Sequence, residues 1–165
     1  MLIFLNIILI ILLVWAAISD LRARIIPNAI PLLAIVLFPL GALLGLVPAW
    51  PMHLLIFALS FALAVALFAF GIMGGGDAKL IPAMALWAGP SGLSLFVLIM
   101  ALSGGILALI MIIRQKNRNN SDSSPDSFPD SSLEGVPYGV AIACGGIAFL
   151  LPPFLAFLHA TPSGV

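Results

Sequence analysis

The sequence predicts an all-α, polytopic membrane protein: a six-transmembrane-helix bundle with a short fourth helix, built as one membrane-embedded domain over residues 1–165. Three observations carry that expectation. Hydrophobic residues make up 63% of the chain and charged residues 7%, against about 25% charged residues in ordinary globular domains. Mean hydropathy is +1.29. The apolar residues also fall into discrete runs, most of them near the roughly 20 residues that cross about 30 Å of hydrocarbon. A soluble fold of this length has too little interior for so much apolar surface, so the lipid bilayer is the expected solvent.

The first run, residues 2–18, is apolar apart from Asn6, and no Lys or Arg precedes it. A cleaved signal peptide would carry a basic stretch there. The first cations, Arg22 and Arg24, follow the run instead, which places Met1 outside and Arg22 in the cytoplasm. Pro27 and Asn28 read as entry to a second helix over residues 29–47, with Asn28 as its N-cap. The third run covers residues 53–72 and the fifth residues 93–113, and a sixth covers residues 138–158. The fourth, residues 79–88, is too short to span alone and by itself would suit a half helix. If all six cross, all six Lys and Arg and all six Asp and Glu fall on one side, and the connections 48–52 and 89–92 carry no charge. Six crossings with both termini outside is therefore the expected topology.

Residues 114–135 form the one long hydrophilic stretch, basic at first and then rich in Ser, Asp and Pro. That composition cannot build a core, so a flexible cytoplasmic loop is expected, as a solvated linker or as a substrate tether. Gly41 with Gly45, and Gly71 with Gly75, form GxxxG pairs that permit close helix approach. Trp15, Trp50, Trp87 and Tyr138 are expected as interfacial anchors near span ends. Zero net charge gives no basic surface for nucleic acid. A lone Cys144 excludes a disulfide framework or a CxxC-type zinc site, and reads as a packing residue.

Two acids stand apart from the hydrophilic stretch. Asp20 ends the first run in Ser19-Asp20-Leu21-Arg22, and Asp77 follows the third in Gly74-Gly75-Gly76-Asp77-Ala78-Lys79-Leu80. Both fall at one edge of the apolar zone, where ionisable groups have a partner or a task. On spacing alone, structural roles compete with functional ones: Asp77 suits an N-cap, and Asp20 suits a pairing with Arg22, Arg24 or Lys79. The triple glycine tips the reading, because its backbone entropy is worth losing where the chain turns tightly or another backbone, such as an extended substrate, comes close.

These residues carry a resemblance. Gly74-x-Gly76-Asp77-x-Lys79-Leu80 resembles the GxGDxKL signature of the type IV prepilin and preflagellin peptidases. Asp20-x-Arg22 followed by Ile26-Pro27-Asn28 is similar to the first-aspartate motif of that family, and Pro137-Tyr138-Gly139-x-Ala141-Ile142-Ala143 to the segment opening its last span. The three fall in the family's order, and its membrane core covers nearly the whole chain. The larger bifunctional members insert a tetracysteine region between their first two spans and also N-methylate their product. Here about eight residues separate Asp20 from the second run and the cysteines are missing, so methyltransferase activity is not implied. The compact form resembles the small peptidases of tight-adherence (Flp pilus) systems. Presenilin-type proteases share GxGD but have a Tyr-Asp first motif and more spans, where this chain has Ser19-Asp20.

The resemblance implies a membrane aspartyl endopeptidase of the bacterial inner membrane that removes a prepilin leader on the cytoplasmic face, with Asp20 and Asp77 as catalytic carboxylates and pilus assembly machinery as a further partner. Such chemistry needs no metal or cofactor: facing carboxylates share one proton, one activating water and the other polarising the scissile carbonyl. No HExxH occurs, and His53 and His159 are expected on the opposite side. Macrodipoles suggest an ionised Asp77 at a helix N-terminus as base and a protonated Asp20 at a helix C-terminus as acid. Gly74, Gly75, Gly76, Lys79 and Arg22 are expected to shape the site or bind substrate. Lys79 suits either a role at the negative site or a topology anchor. Arg22 and Arg24 suit topology determinants, or pairing with an acid near the pilin N-terminus. The rival reading is a non-enzymatic membrane scaffold or transporter subunit, although transporter acids usually lie at the midplane of duplicated halves.

Overall fold

The computed structural model describes residues 2–121 and 137–159, with side chains described to residue 116 in the first stretch and to residue 151 in the second. The described residues are all helical or connecting. The helices are α1 (Leu2–Ala23), α2 (Ala29–Leu43), α3 (Trp50–Ala69), α4 (Asp77–Ser121) and α5 (Tyr138–His159). Helix α4 is two helical limbs joined at Gly89, so the expected short fourth helix and the fifth are both present, but six membrane spans are not what the described residues offer. Among the described residues three stretches are long and apolar enough to cross a membrane: Leu2–Ala23, Trp50–Ala69 and Asp77–Lys116. Helix α2, with 15 residues, extends only about 22 Å. The expected fourth and fifth runs are joined within α4 because helical backbone resumes immediately after Gly89, whose φ of 57° and ψ of −166° break it at one residue.

Contacts show that the chain reverses at that break. Asp77 shares a cleft with Asp20 at the end of α1, whereas Trp87 and Leu5, near the start of α1, both pack on Gly41. The first limb of α4 (residues 77–88) therefore runs antiparallel to α1. Helix α5 also opposes α1, with Gly139 against Asp20 and Gly146 against Leu13. The second limb opposes α5 in turn: Gly92 meets Phe149, Gly145 meets Phe96 and Met100, and Gly104 meets Ala141 and Tyr138. Gly89-Pro90 is thus a helix hairpin with almost no loop. Pro90 suits its place, since a proline is tolerated in the first turn of a helix.

The first limb is the centre of the bundle. Leu80, Ala83, Met84, Ala85, Leu86, Trp87 and Ala88 are all buried, packed among Leu5, Leu9, Leu13, Ile30, Ala34 and Phe38. Helix α4 packs on α5, α3 and α2, and α1 packs on α5 and α2, while α3 leaves most of its own surface to the surroundings. The outward faces of all these helices are studded with Leu, Ile, Val and Phe, as a lipid-facing surface requires. Every described Asp, Lys and Arg lies toward the Asp20 end of the bundle, or on the stretch of α4 that continues past Tyr138 with Arg114 and Lys116. His53 lies at the other end.

Several local expectations change. Trp87 is no interfacial anchor: its Nε1–H donates to the Ala34 carbonyl at 2.8 Å, and its ring stands edge-on to Phe38 at 5.5 Å. Trp15, Trp50 and Tyr138 are exposed. Gly45 and Gly71 do not mediate helix packing, since a Cβ at either would meet nothing within 4 Å. Both adopt positive φ just past a helix end, where Gly45 N–H bonds Ala42 O and Leu46 N–H bonds Gly41 O, and Gly71 and Ile72 repeat the pattern. They are left-handed helix stops. Residues 114–121 continue α4, in keeping with the helix propensity of Arg, Gln and Lys. The rest of the expected loop, residues 122–135, lies outside the described residues. Cys144 is exposed on α5.

The Trp87–Ala34 bond gives a direct check on this packing. Trp87→Phe keeps an aromatic ring against Phe38 but removes the donor, and it is expected to lower stability by about 1 kcal/mol. Reversible unfolding in detergent measures this.

Candidate active site

Each aspartate is delivered by a helix end. Asp20 sits in the last turn of α1, where the helix breaks at Arg24 in a left-handed conformation with φ 54°. Ser19 locks the exit by donating its hydroxyl to the Ile25 carbonyl at 2.7 Å. Asp77 opens α4 directly after the glycine turn, whose carbonyls accept the first helical amides: Ala78 N–H from Gly74 O, and Lys79 and Leu80 N–H from Gly76 O. The two carboxylates meet in a cleft of about 370 Å³, lined also by Arg24, Ile25, Ile26, Asn28, Gly74, Gly75, Gly76 and Lys79. Their charges are close enough to interact.

All three motif glycines have a packing reason. A Cβ on Gly76 would lie 3.0 Å from the Ile26 Cβ, one on Gly75 would lie 3.3 Å from the Phe68 ring, and one on Gly74 would lie 3.2 Å from Asp77 Oδ2. The turn is thus pressed between the α1–α2 connection, the end of α3 and the catalytic candidate itself. Side chains here would close the cleft.

Helix α5 completes the site, which sequence reasoning missed although it had singled out the Pro137-Tyr138-Gly139 segment. The Gly139 N–H donates to Asp20 Oδ2 at 2.7 Å. First-turn amides of a helix have no partner of their own, so Asp20 caps α5 from 119 positions away in sequence. A Cβ on Gly139 would lie 2.8 Å from Asp20 Oδ2 and 2.9 Å from its Cβ. Only glycine lets the α5 backbone come this near the Asp20 side chain. The expected asymmetry between the carboxylates therefore loses its basis: Asp20 ends α1 but also faces the N-terminus of α5, so both aspartates sit at helix N-termini.

The cations are placed differently from expectation. Lys79 Nζ donates to Asn28 Oδ1 at 2.9 Å, and Asn28 makes no side-chain cap to α2. This bridge ties the start of α4 to the start of α2 instead of neutralising a carboxylate. Arg24 lines the cleft, whereas the exposed Arg22 is not part of its lining. His53 is remote from the cleft, bonded to the first limb of α4 at its far end. The His159 side chain lies outside the described residues. Among the described residues no cluster of His, Cys, Asp or Glu has the makings of a metal site.

The model of the type IV leader peptidase family matches residues 7–109, well over half of the chain and inclusive of both aspartates and the glycine turn. The chain belongs to the type IV leader peptidase family. No curated protein and no solved structure matches it. Family membership makes this chain a protease of the leader peptidase kind, and of the motif residues its cleft is lined by Asp20, Ile26, Asn28, Gly74, Gly76, Asp77 and Lys79.

Gly139 separates the site's geometry from general packing. Gly139→Ala pushes directly on the Asp20 carboxylate and is expected to slow leader cleavage about 10²-fold, the cost of roughly 1 Å of misplacement. Gly105→Ala, at a position where a Cβ meets nothing within 4 Å, is expected to leave the rate unchanged. Initial rates on one substrate compare the two.

Proposed function

We propose that this leader peptidase is an inner-membrane aspartyl endopeptidase that removes the leader of prepilin-like, Flp-type proteins at the cytoplasmic face, with Asp20 and Asp77 as its catalytic carboxylates and no methyltransferase activity. The observation that carries this reading is the meeting of Asp20 and Asp77 in one cleft against the glycine turn. The charge-bearing end of the bundle holds that cleft, which supports a cytoplasmic site by the positive-inside tendency. The compact connection between α1 and α2, together with the single Cys144, supports peptidase activity alone. The prepilin substrate and the bilayer are the partners this chemistry requires, and pilus assembly machinery would take the product.

The reaction follows from the pair. A water held between the carboxylates gives its proton to the ionised member, and its oxygen attacks the scissile carbonyl carbon. The protonated member donates to the carbonyl oxygen as the tetrahedral intermediate forms. Collapse re-forms the carbonyl, breaks the C–N bond and passes a proton to the leaving amine, which becomes the new N-terminus of the mature pilin. Since the two groups titrate as a unit, the acid and base roles belong to the pair. The glycine turn offers a side-chain-free surface along which an extended substrate backbone can lie beside Asp77.

Co-expression with a prepilin-like substrate tests this directly. The wild type is expected to shorten the substrate, and Asp20→Asn and Asp77→Asn are each expected to cut the rate by about 10²–10⁴-fold while the protein remains folded. Cleavage undiminished in either variant would remove the aspartyl mechanism. A wild type that cleaves no pilin-like substrate would favour the scaffold or transporter-subunit reading.

A further inference from the structure

We propose that His53 is a positioning residue for the leader-peptidase reaction: it holds the limb of α4 that carries Asp77 by occupying the backbone carbonyl that Pro90 leaves without a partner. The inference rests on the peptidase reading above and concerns a residue at the opposite end of the bundle from the cleft.

In an uninterrupted helix the Leu86 carbonyl would accept the amide of residue 90. Residue 90 is a proline and has no N–H, and the chain reverses one position earlier, at Gly89. The last carbonyls of a helix must find partners elsewhere. Leu86 is buried, with an exposure of 1%. Its carbonyl lies 2.8 Å from His53 Nδ1, and a carbonyl accepts only from a protonated nitrogen, which fixes the Nδ1–H tautomer. His53 is itself buried and comes from α3, 33 positions earlier.

The ring also fits the reversal sterically. A Cβ on Gly89 would fall on the His53 imidazole, so the ring lies directly on the Gly89 Cα. Its other neighbour is Phe38, with centroids 5.8 Å apart, and Phe38 in turn meets Trp87. One residue thus ties α3 and α2 to the top of the limb. The bottom is tied by the Lys79–Asn28 bond. Between them lies a buried rod of about 18 Å. A rod fixed at both ends cannot tilt or rotate, and Asp77 at its foot keeps its place opposite Asp20. Release at the top leaves the cleft lining intact but holds the limb by its foot alone, so that it can tilt and carry the Asp77 carboxylate off line from Asp20.

His53→Leu and His53→Asn test the clamp as a near-isosteric pair, because Asn retains an N–H donor close to the position of Nδ1 and Leu has none. The full chain is purified into nanodiscs and assayed on a prepilin-like substrate, with Asp20→Asn as the inactive control. Hydrogen exchange over residues 77–88 and unfolding are measured in the same preparations. His53→Leu is expected to lower kcat roughly tenfold, the effect of leaving one buried carbonyl unpaired, with KM unchanged because no substrate contact is lost. Exchange over residues 77–88 should quicken by a similar factor, and His53→Asn should restore both. The proposal is overturned if the two variants lose kcat equally, if the loss lies in KM, if it only tracks the folded fraction, or if exchange in that segment is unchanged. Exchange does not depend on turnover, so a wild type without peptidase activity would sink the functional reading and still leave the clamp measurable.

Discussion

The burial of one short helical limb, residues 77–88, is the constraint from which the rest of the arrangement follows. Apart from the exposed Lys79, the limb turns almost none of its surface outward, so it can carry no group that needs water. It is built largely of Ala and Leu, with Met84 and Trp87 filling gaps. Small residues let neighbouring helices approach closely, which is how helices associate in a lipid environment without a strong hydrophobic drive between them. The limb also has two ends inside the protein, and each end exposes backbone groups that must be satisfied there. The carbonyls of Gly74 and Gly76 meet the lower requirement, and His53 meets part of the upper one.

The same reasoning explains how the aspartates are held. Carboxylates near an apolar core are costly unless hydrogen-bonded or paired. Asp20 receives a backbone amide from α5, and Asp77 lies at the start of its own helix, where dipoles favour negative charge. Lysine was the obvious counter-charge, yet Lys79 bonds to the neutral Asn28. That choice leaves the Asp77 oxygens to face the cleft and Asp20, where a tight Lys ion pair would tie them up. Lys79 thus fixes the position of the helix.

Much of the site could be read in the sequence because it rests on spacing and residue type. The glycine run before Asp77 stood out in the sequence, although what crowds it in the structure is the side chains of Ile26, Phe68 and Asp77 and not another backbone. Charge at one end and the order of the apolar runs likewise follow from composition alone. What escaped was every role set by a partner distant in sequence. Nothing near Trp87 distinguishes an interfacial tryptophan from one that bonds Ala34, and nothing near His53 reveals the carbonyl above it. The GxxxG spacing suggested helix contacts, but Gly45 and Gly71 are helix stops, a distinction that depends on where each helix ends. The reversal between residues 88 and 93 was expected, but its tightness was hidden for a related reason. A four-residue uncharged connection looked necessary, and a single residue with positive φ, followed by a proline suited to a first turn, does the work instead.

The capping of α5 by Asp20 has a consequence for assembly. Asp20 lies near the start of the chain and its donor, Gly139, near the end. The first aspartate and the glycine turn can approach as soon as α1 and α4 pack together, but the Asp20 carboxylate has its amide only after α5 is in place. Until then α5 lacks a cap and Asp20 lacks the donor that offsets its burial, so each makes the other's position favourable. Contacts of this kind, long in sequence and reciprocal in benefit, make the finished bundle cooperative. They also mean that an ordered pair of aspartates coincides with a complete fold.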